Sequence, residues 1–143
     1  MPLLKRRSKF QIAKLHRRDF MASVAIGAAA LACFRHPAYA KPRIVEVSMG
    51  TALMTFLPAT VTIKVGDTVR WTNPGIVSHI INFDPARAKQ AGSVSLPAGV
   101  EPFNSEEMEK GDTFSHLFTV RGTYHYTCRY HENMGMTGTI IVR

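Results

Sequence analysis

Cysteine is scarce in this sequence, with two thiols, Cys33 and Cys128, among 143 residues. One disulfide at most is possible, so a fold stapled by several bridges is excluded. Long apolar runs are missing as well. The stretch from Met21 to Phe34 has 14 residues, short of the roughly 20 that a membrane-spanning helix needs. Acids are in deficit, 10 against 18 Lys and Arg, for a formal charge of +8. An excess of that size suggests nucleic acid or an acidic membrane as a partner. Its position along the chain decides whether the suggestion stands.

Seven of the basic residues (Lys5, Arg6, Arg7, Lys9, Lys14, Arg17 and Arg18) fall within the first 20 positions, with Asp19 as the single acid. The apolar run follows, and then Ala38-Tyr39-Ala40, the small-x-small pattern read by a signal peptidase. Residues 1–40 are therefore expected to be a cleavable export signal, cut after Ala40. Arg17-Arg18-Asp19-Phe20-Met21 resembles the twin-arginine signal, which carries proteins across a membrane already folded. Ala30-Leu31-Ala32-Cys33 is a loose match to a lipidation box, with its Leu one place off. Cleavage leaves residues 41–143, with ten basic and nine acidic residues, a charge of 10 − 9 = +1. No basic stripe and no aromatics set among Lys and Arg survive, which removes nucleic acid as a partner. It also leaves one thiol, Cys128, which is buried, reactive or bound to metal.

Residues 41–143 read as strands and turns. Val61, Ile63 and Val65 alternate with Thr60, Thr62 and Lys64, and Gly66-Asp67 then leads into Thr68–Thr72, where Val69 and Trp71 share a face. This predicts a half-buried hairpin. A similar turn, Gly111-Asp112-Thr113, opens a run in which Phe114, His116, Phe118 and Val120 alternate with Ser115, Leu117 and Thr119, and Arg121-Gly122 turns it into 123–128. Further strands are expected at 44–49, 78–83 and 137–142. Residues 84–110 form a long connection with Pro85, Pro97 and Pro102, and Ser105-Glu106-Glu107-Met108 suggests one helical turn. Seven or eight short strands in about 100 residues predict an all-β fold, a Greek-key antiparallel β-sandwich in which the long connection changes sheets.

The segment Cys128-Arg129-Tyr130-His131-Glu132-Asn133-Met134-Gly135-Met136 places a thiol at a strand end, an imidazole three residues on and a thioether five further. A loop of this kind can gather three ligands around one point. His79, just after Asn73-Pro74-Gly75, offers a second imidazole. Two His, one Cys and a weak axial Met are the ligand set of mononuclear copper in electron-transfer sites. Other readings remain open on the residues alone: an inert buried Cys128, a Cys128 nucleophile with His131 as base, a zinc site, which seldom takes Met, and Met134 in place of Met136. His116 reads as a packing histidine between Phe114 and Phe118, and His125 as outward-pointing.

The pattern Cys-x-x-His-x-x-x-x-Met resembles the ligand loop of plastocyanin and pseudoazurin. So do Val45–Gly50, Gly66–Asn73, Leu96–Val100 and Gly122–Tyr126, in the same order. The sequence is thus similar to the small blue copper proteins, or cupredoxins. The resemblance implies one type 1 copper ion held by His79, Cys128, His131 and Met136, with both imidazoles binding through Nδ1. It implies a soluble single-electron carrier, not an enzyme, in a periplasm or thylakoid lumen. Its partners would be redox proteins, such as a c-type cytochrome or a periplasmic oxidoreductase, and it would be monomeric with no stable membrane insertion. The electron's exit would be His131, at an apolar end with Met54 and Leu57. A copper carrier that hands over the ion itself is the alternative. Three positions depart from the family: Ile80 stands where Asn usually braces the Cys loop, Tyr130 where Pro precedes the loop His, and Thr127 where plastocyanin has a Tyr used for docking. Plastocyanin's acidic patch is replaced by Asp84-Pro85-Ala86-Arg87-Ala88-Lys89.

Overall fold

The computed structural model describes residues 41–143, so the expected export signal and Cys33 lie outside the described residues. Eight strands are present there: β1 (Ile44–Met49), β2 (Phe56–Leu57), β3 (Thr60–Ile63), β4 (Thr68–Thr72), β5 (Ile81–Asn82), β6 (Thr113–Leu117), β7 (Gly122–Cys128) and β8 (Thr137–Val142). They form two four-stranded sheets, ordered β2-β1-β4-β6 and β3-β8-β7-β5. The expected β-sandwich is therefore found, but both sheets are mixed: β1 with β4 and β3 with β8 run parallel.

The alternation in the sequence produces this arrangement directly. Val47 and Met49 on β1 and Val69 and Trp71 on β4 are buried from one sheet, and Val61, Ile63, Tyr124, Tyr126, Ile140 and Val142 from the other. Trp71 sits at the centre, where its Nε1–H donates to Tyr126 Oη at 3.0 Å and its ring meets Phe83 and Tyr126 edge-on. Buried aromatics of this kind each contribute about 3–5 kcal/mol relative to Ala. Gly138, opposite Tyr126 across the ladder, leaves room for that ring, because a Cβ there would lie 2.5 Å from Tyr126 Oη.

Four local expectations are corrected. Gly66-Asp67 does not close a hairpin: β3 and β4 lie in different sheets. Alternation fixes which face of a strand is buried but not its neighbour, and the two apolar faces meet across the core. The buried Asp67 carboxylate secures the crossing by accepting the N–H of Arg43 and of Lys64, each at 2.9 Å, and an Arg43 guanidinium N–H at 3.1 Å. Arg121-Gly122 likewise passes from one sheet to the other, since β6 and β7 are not neighbours. Residues 78–83 contribute only Ile81–Asn82 to a sheet. Ser105–Met108 is not helical, and Met108 pairs with His79; 3₁₀ turns occur instead at Pro85–Arg87 and Glu132–Met134. As expected, His116 packs, its ring stacked on Phe103 at 3.6 Å, and His125 is exposed.

Candidate metal centre

Cys128 is the last residue of β7, paired with Ile81 across the ladder. The loop that follows is tied to itself. The His131 N–H donates to Cys128 O at 3.1 Å, the Met136 N–H to His131 O at 3.2 Å, and the Cys128 N–H to Met136 O at 2.9 Å. Gly135 lets the chain turn into β8 by adopting φ +80, a left-handed conformation costly for other residues. His79 arrives from the other side, its backbone exchanging hydrogen bonds with Met108 at 3.1 and 2.8 Å.

These elements bring His79, Cys128 and His131 together, with all three donor atoms inside 4.8 Å of one another. Cys128 Sγ lies 3.5 Å from His79 Nδ1 and 3.3 Å from His131 Nδ1. Donors bound at about 2.0–2.3 Å around one trigonal centre stand roughly 3.5–3.8 Å apart, so the spacing fits a single ion. Met136 is fully buried and bonded through its backbone to both Cys128 and His131. Met134, the competing thioether, is 69% exposed. Burial, and next the charge of His131, hold His79 below the ordinary imidazole pKa. Burial and then Lys89 do the same for His131. Both rings are therefore neutral near pH 7, with a lone pair free for a metal. Thiolate, two imidazoles and a thioether suit copper in both oxidation states, and zinc poorly.

The model of the family described as copper binding proteins, plastocyanin/azurin family, matches residues 43–143. The chain belongs to that family. It is therefore a copper-binding cupredoxin, an electron carrier and not an enzyme, and the nucleophile reading of Cys128 gives way. A chloroplastic plastocyanin of Tetradesmus obliquus is 33% identical over 138 residues, covering 92% of this chain and 84% of that protein. Amicyanin of Paracoccus versutus is 33% identical over 96 residues, 67% of this chain and 64% of its own length. Among solved structures, a purple cupredoxin from Nitrosopumilus maritimus has a TM-score of 0.53 at 26% identity, covering 68% of this cupredoxin and all but 2% of that chain, which it matches over 98%.

The departures at Ile80 and Thr127 have structural counterparts in this cupredoxin. Ile80 contributes its carbonyl, which accepts the Arg129 N–H at 2.9 Å, so a main-chain brace reaches the Cys loop where a side-chain brace is missing. The Ser105 hydroxyl accepts the Ile81 N–H at 2.9 Å and so fixes the strand residue paired with Cys128. Thr127 is fully buried and its hydroxyl has no partner, so no surface residue stands where plastocyanin has its Tyr. Two residues near the donors carried no separate signal in the sequence. Asn73, fully buried, donates through Nδ2 to Val77 O at 2.8 Å and Met108 O at 2.9 Å, and accepts the Gly75 N–H at 3.0 Å. That fixes the turn before His79. Glu132, between His131 and Met136, is 1% exposed. Burial raises its carboxyl, but the Ser93 hydroxyl and the amides of Lys89 and Gln90 outweigh this and hold it below the ordinary carboxylate range.

Proposed function

We propose that this cupredoxin holds one type 1 copper ion through His79 Nδ1, Cys128 Sγ, His131 Nδ1 and the Met136 thioether, and shuttles single electrons between larger redox proteins. The observation that carries this reading is the convergence of two imidazole Nδ1 atoms on the Cys128 sulfur, at 3.5 and 3.3 Å. When bound, copper supplies the one-electron couple, and the thiolate gives the electron a covalent path into the protein. The chain's own residues hold both imidazoles neutral, exclude water from the sulfur and keep the donors in place as charge changes. Cys128 and Met136 are both fully buried and His79 is 2% exposed. Such burial favours electron transfer over hand-over of the ion itself.

His131 is the half-buried member of the donor set, which supports it as the electron's exit. Leu53 (71% exposed), Ile76 (83%) and Met134 supply exposed apolar surface on the neighbouring loops. Thr51 of the first loop packs against Gly75 of the second. Leu57 is exposed as well, whereas Met54 packs half-buried against the core. A transient encounter of small area suits such a face. Unaltered transfer rates to a c-type cytochrome after Ile76→Glu would move the docking site elsewhere.

Adding Cu(II) to the protein should produce an intense thiolate-to-copper band in the visible spectrum. Cys128→Ser should abolish the band while the far-ultraviolet circular dichroism is retained. Colour in that variant would refute the ligand assignment. Residues 1–40 are proposed as a twin-arginine export signal delivering the protein to a periplasm or lumen. Sequencing the exported protein from its amino terminus should begin at Lys41. Among the described residues, no helix is long and apolar enough to cross a membrane.

A further inference from the structure

Three of the four donors are held by strand ends or by backbone pairing. Cys128 ends β7, Met136 leads into β8, and His79 is bridged to Met108. His131 differs, because its backbone bonds only to its own turn: its N–H to Cys128 O, and its carbonyl from the Met134 and Met136 N–H groups. That ring ties the turn to the end of β7, and the Arg129 N–H, bonded to Ile80 O at 2.9 Å, braces its incoming side; among the described residues no main-chain bond ties the outer side, Glu132–Met134, to the rest of the domain.

The Glu132 side chain does. Glu132 Oε2 accepts the Lys89 N–H at 2.8 Å, and Oε1 accepts the Gln90 N–H at 2.8 Å and the Ser93 hydroxyl at 2.5 Å. Two successive amides and a hydroxyl converging on one anion form a backbone nest. Bonds to a charged acceptor are the stronger class. Lys89 Nζ reaches Tyr130 O at 3.4 Å, a second tether on the same turn. The receiving segment is itself anchored at both ends. Asn82 of β5 donates through Nδ2 to Asp84 O at 3.3 Å and accepts the Asp84 N–H at 3.2 Å, and Ser95 exchanges backbone bonds with His125 at 3.1 and 2.9 Å.

We propose that Glu132 is the positioning residue for His131: its carboxylate locks the His131 turn into the nest of residues 89–93 and so keeps the imidazole in place through both oxidation states. The inference rests on the copper reading of the site. Losing the lock would free the one donor whose backbone bonds only within its own turn, while leaving all four ligands chemically intact. Glu132 belongs to the small group of residues that act on a metal through its ligands.

The test compares Glu132→Ala and Glu132→Gln with the wild-type chain by two measurements. The first is amide hydrogen exchange of the copper-free protein. The Met134 and Met136 amides, both bonded to His131 O, should exchange at least about tenfold faster in the Ala variant. Glutamine keeps an oxygen for Gln90 and Ser93 but turns its NH₂ towards the Lys89 N–H, so its rates should fall between. The second is release of copper from the loaded, reduced protein to an excess of Cu(I) chelator. It should accelerate about 10–100-fold in the Ala variant, with the visible thiolate band unmoved in the oxidised form. Wild-type exchange at Met134 and Met136, or copper release within about twofold of wild type, would overturn the proposal. Glu132 would then merely tether residues 89–93. If the Ala variant does not fold, the Gln variant decides by the same two rates. A wild-type protein that develops no thiolate band would refute the copper reading instead. The exchange comparison, made without metal, would still decide whether Glu132 fixes the turn.

Discussion

Replacing Asn73 by Ala should be among the most damaging single changes that touch no donor atom. The side chain makes three hydrogen bonds, to Val77 O, Met108 O and the Gly75 N–H, at 2.8–3.0 Å. Neutral bonds contribute about 0.5–1.5 kcal/mol each. Met108 O keeps its bond from the His79 N–H, so the variant pays chiefly for the three lost contacts and for Val77 O. The expected loss is about 2–4 kcal/mol, a large share of the stability of a domain this size. A domain of about 100 residues should melt roughly 10–25 °C lower. Urea unfolding of the copper-free protein, followed by tryptophan fluorescence of Trp71, measures it. The assay must be metal-free, because copper binds only the folded state and masks part of the loss. The variant's affinity for copper should also fall, since the turn before His79 is no longer pinned. A destabilisation below about 1 kcal/mol would refute the view that Asn73 carries this turn.

Asp67 predicts a pH dependence at the end of β3. Burial raises its carboxyl, but the amides of Lys64 and Arg43 and the Arg43 guanidinium outweigh this and hold it below its ordinary value of 3.8. A depressed folded pKa stabilises the protein fully above the unfolded value, and that gain is lost as pH falls through it to the folded one. The urea midpoints of wild type and Asp67→Asn should therefore differ at pH 7, and the gap should narrow as pH falls below 3.8; a constant gap would rule out the carboxylate as the source. Met136→Leu should leave copper bound and raise the reduction potential, measured by voltammetry. An unchanged potential would exclude the Met136 thioether as the axial contact.

Some of the fold is legible in the sequence because its cause is local. β1 and β8 occupy the expected residues, since each is an alternating run stopped by Gly50 or begun just after Gly135. Strand neighbours are not legible: the same alternation that buries Val61 and Trp71 is compatible with a hairpin or with opposite sheets. Only the long-range pairings Thr60 with Thr139 and Ile44 with Thr68 decide between them. The site divides the same way. Cys128, His131 and Met136 share one loop, so their spacing can be read directly. His79 is marked by its turn and by the family resemblance. The roles of Glu132 and Asn73 depend on partners 42–43 and 35 residues away. No local pattern announces them, and a lone Glu in a polar loop reads as a solvated charge.

β8 has a consequence for how the protein is made. It lies between β3 and β7 in its sheet, so β3 has no partner there, and β7 has only β5, until residues 137–142 have left the ribosome. The Cys128 thiol is synthesised before then, but the Met136 carbonyl that closes its loop is not yet in place. Closure of the loop around Cys128 and His131 is thereby coupled to the arrival of β8, although His79, Cys128 and His131 are all synthesised before it.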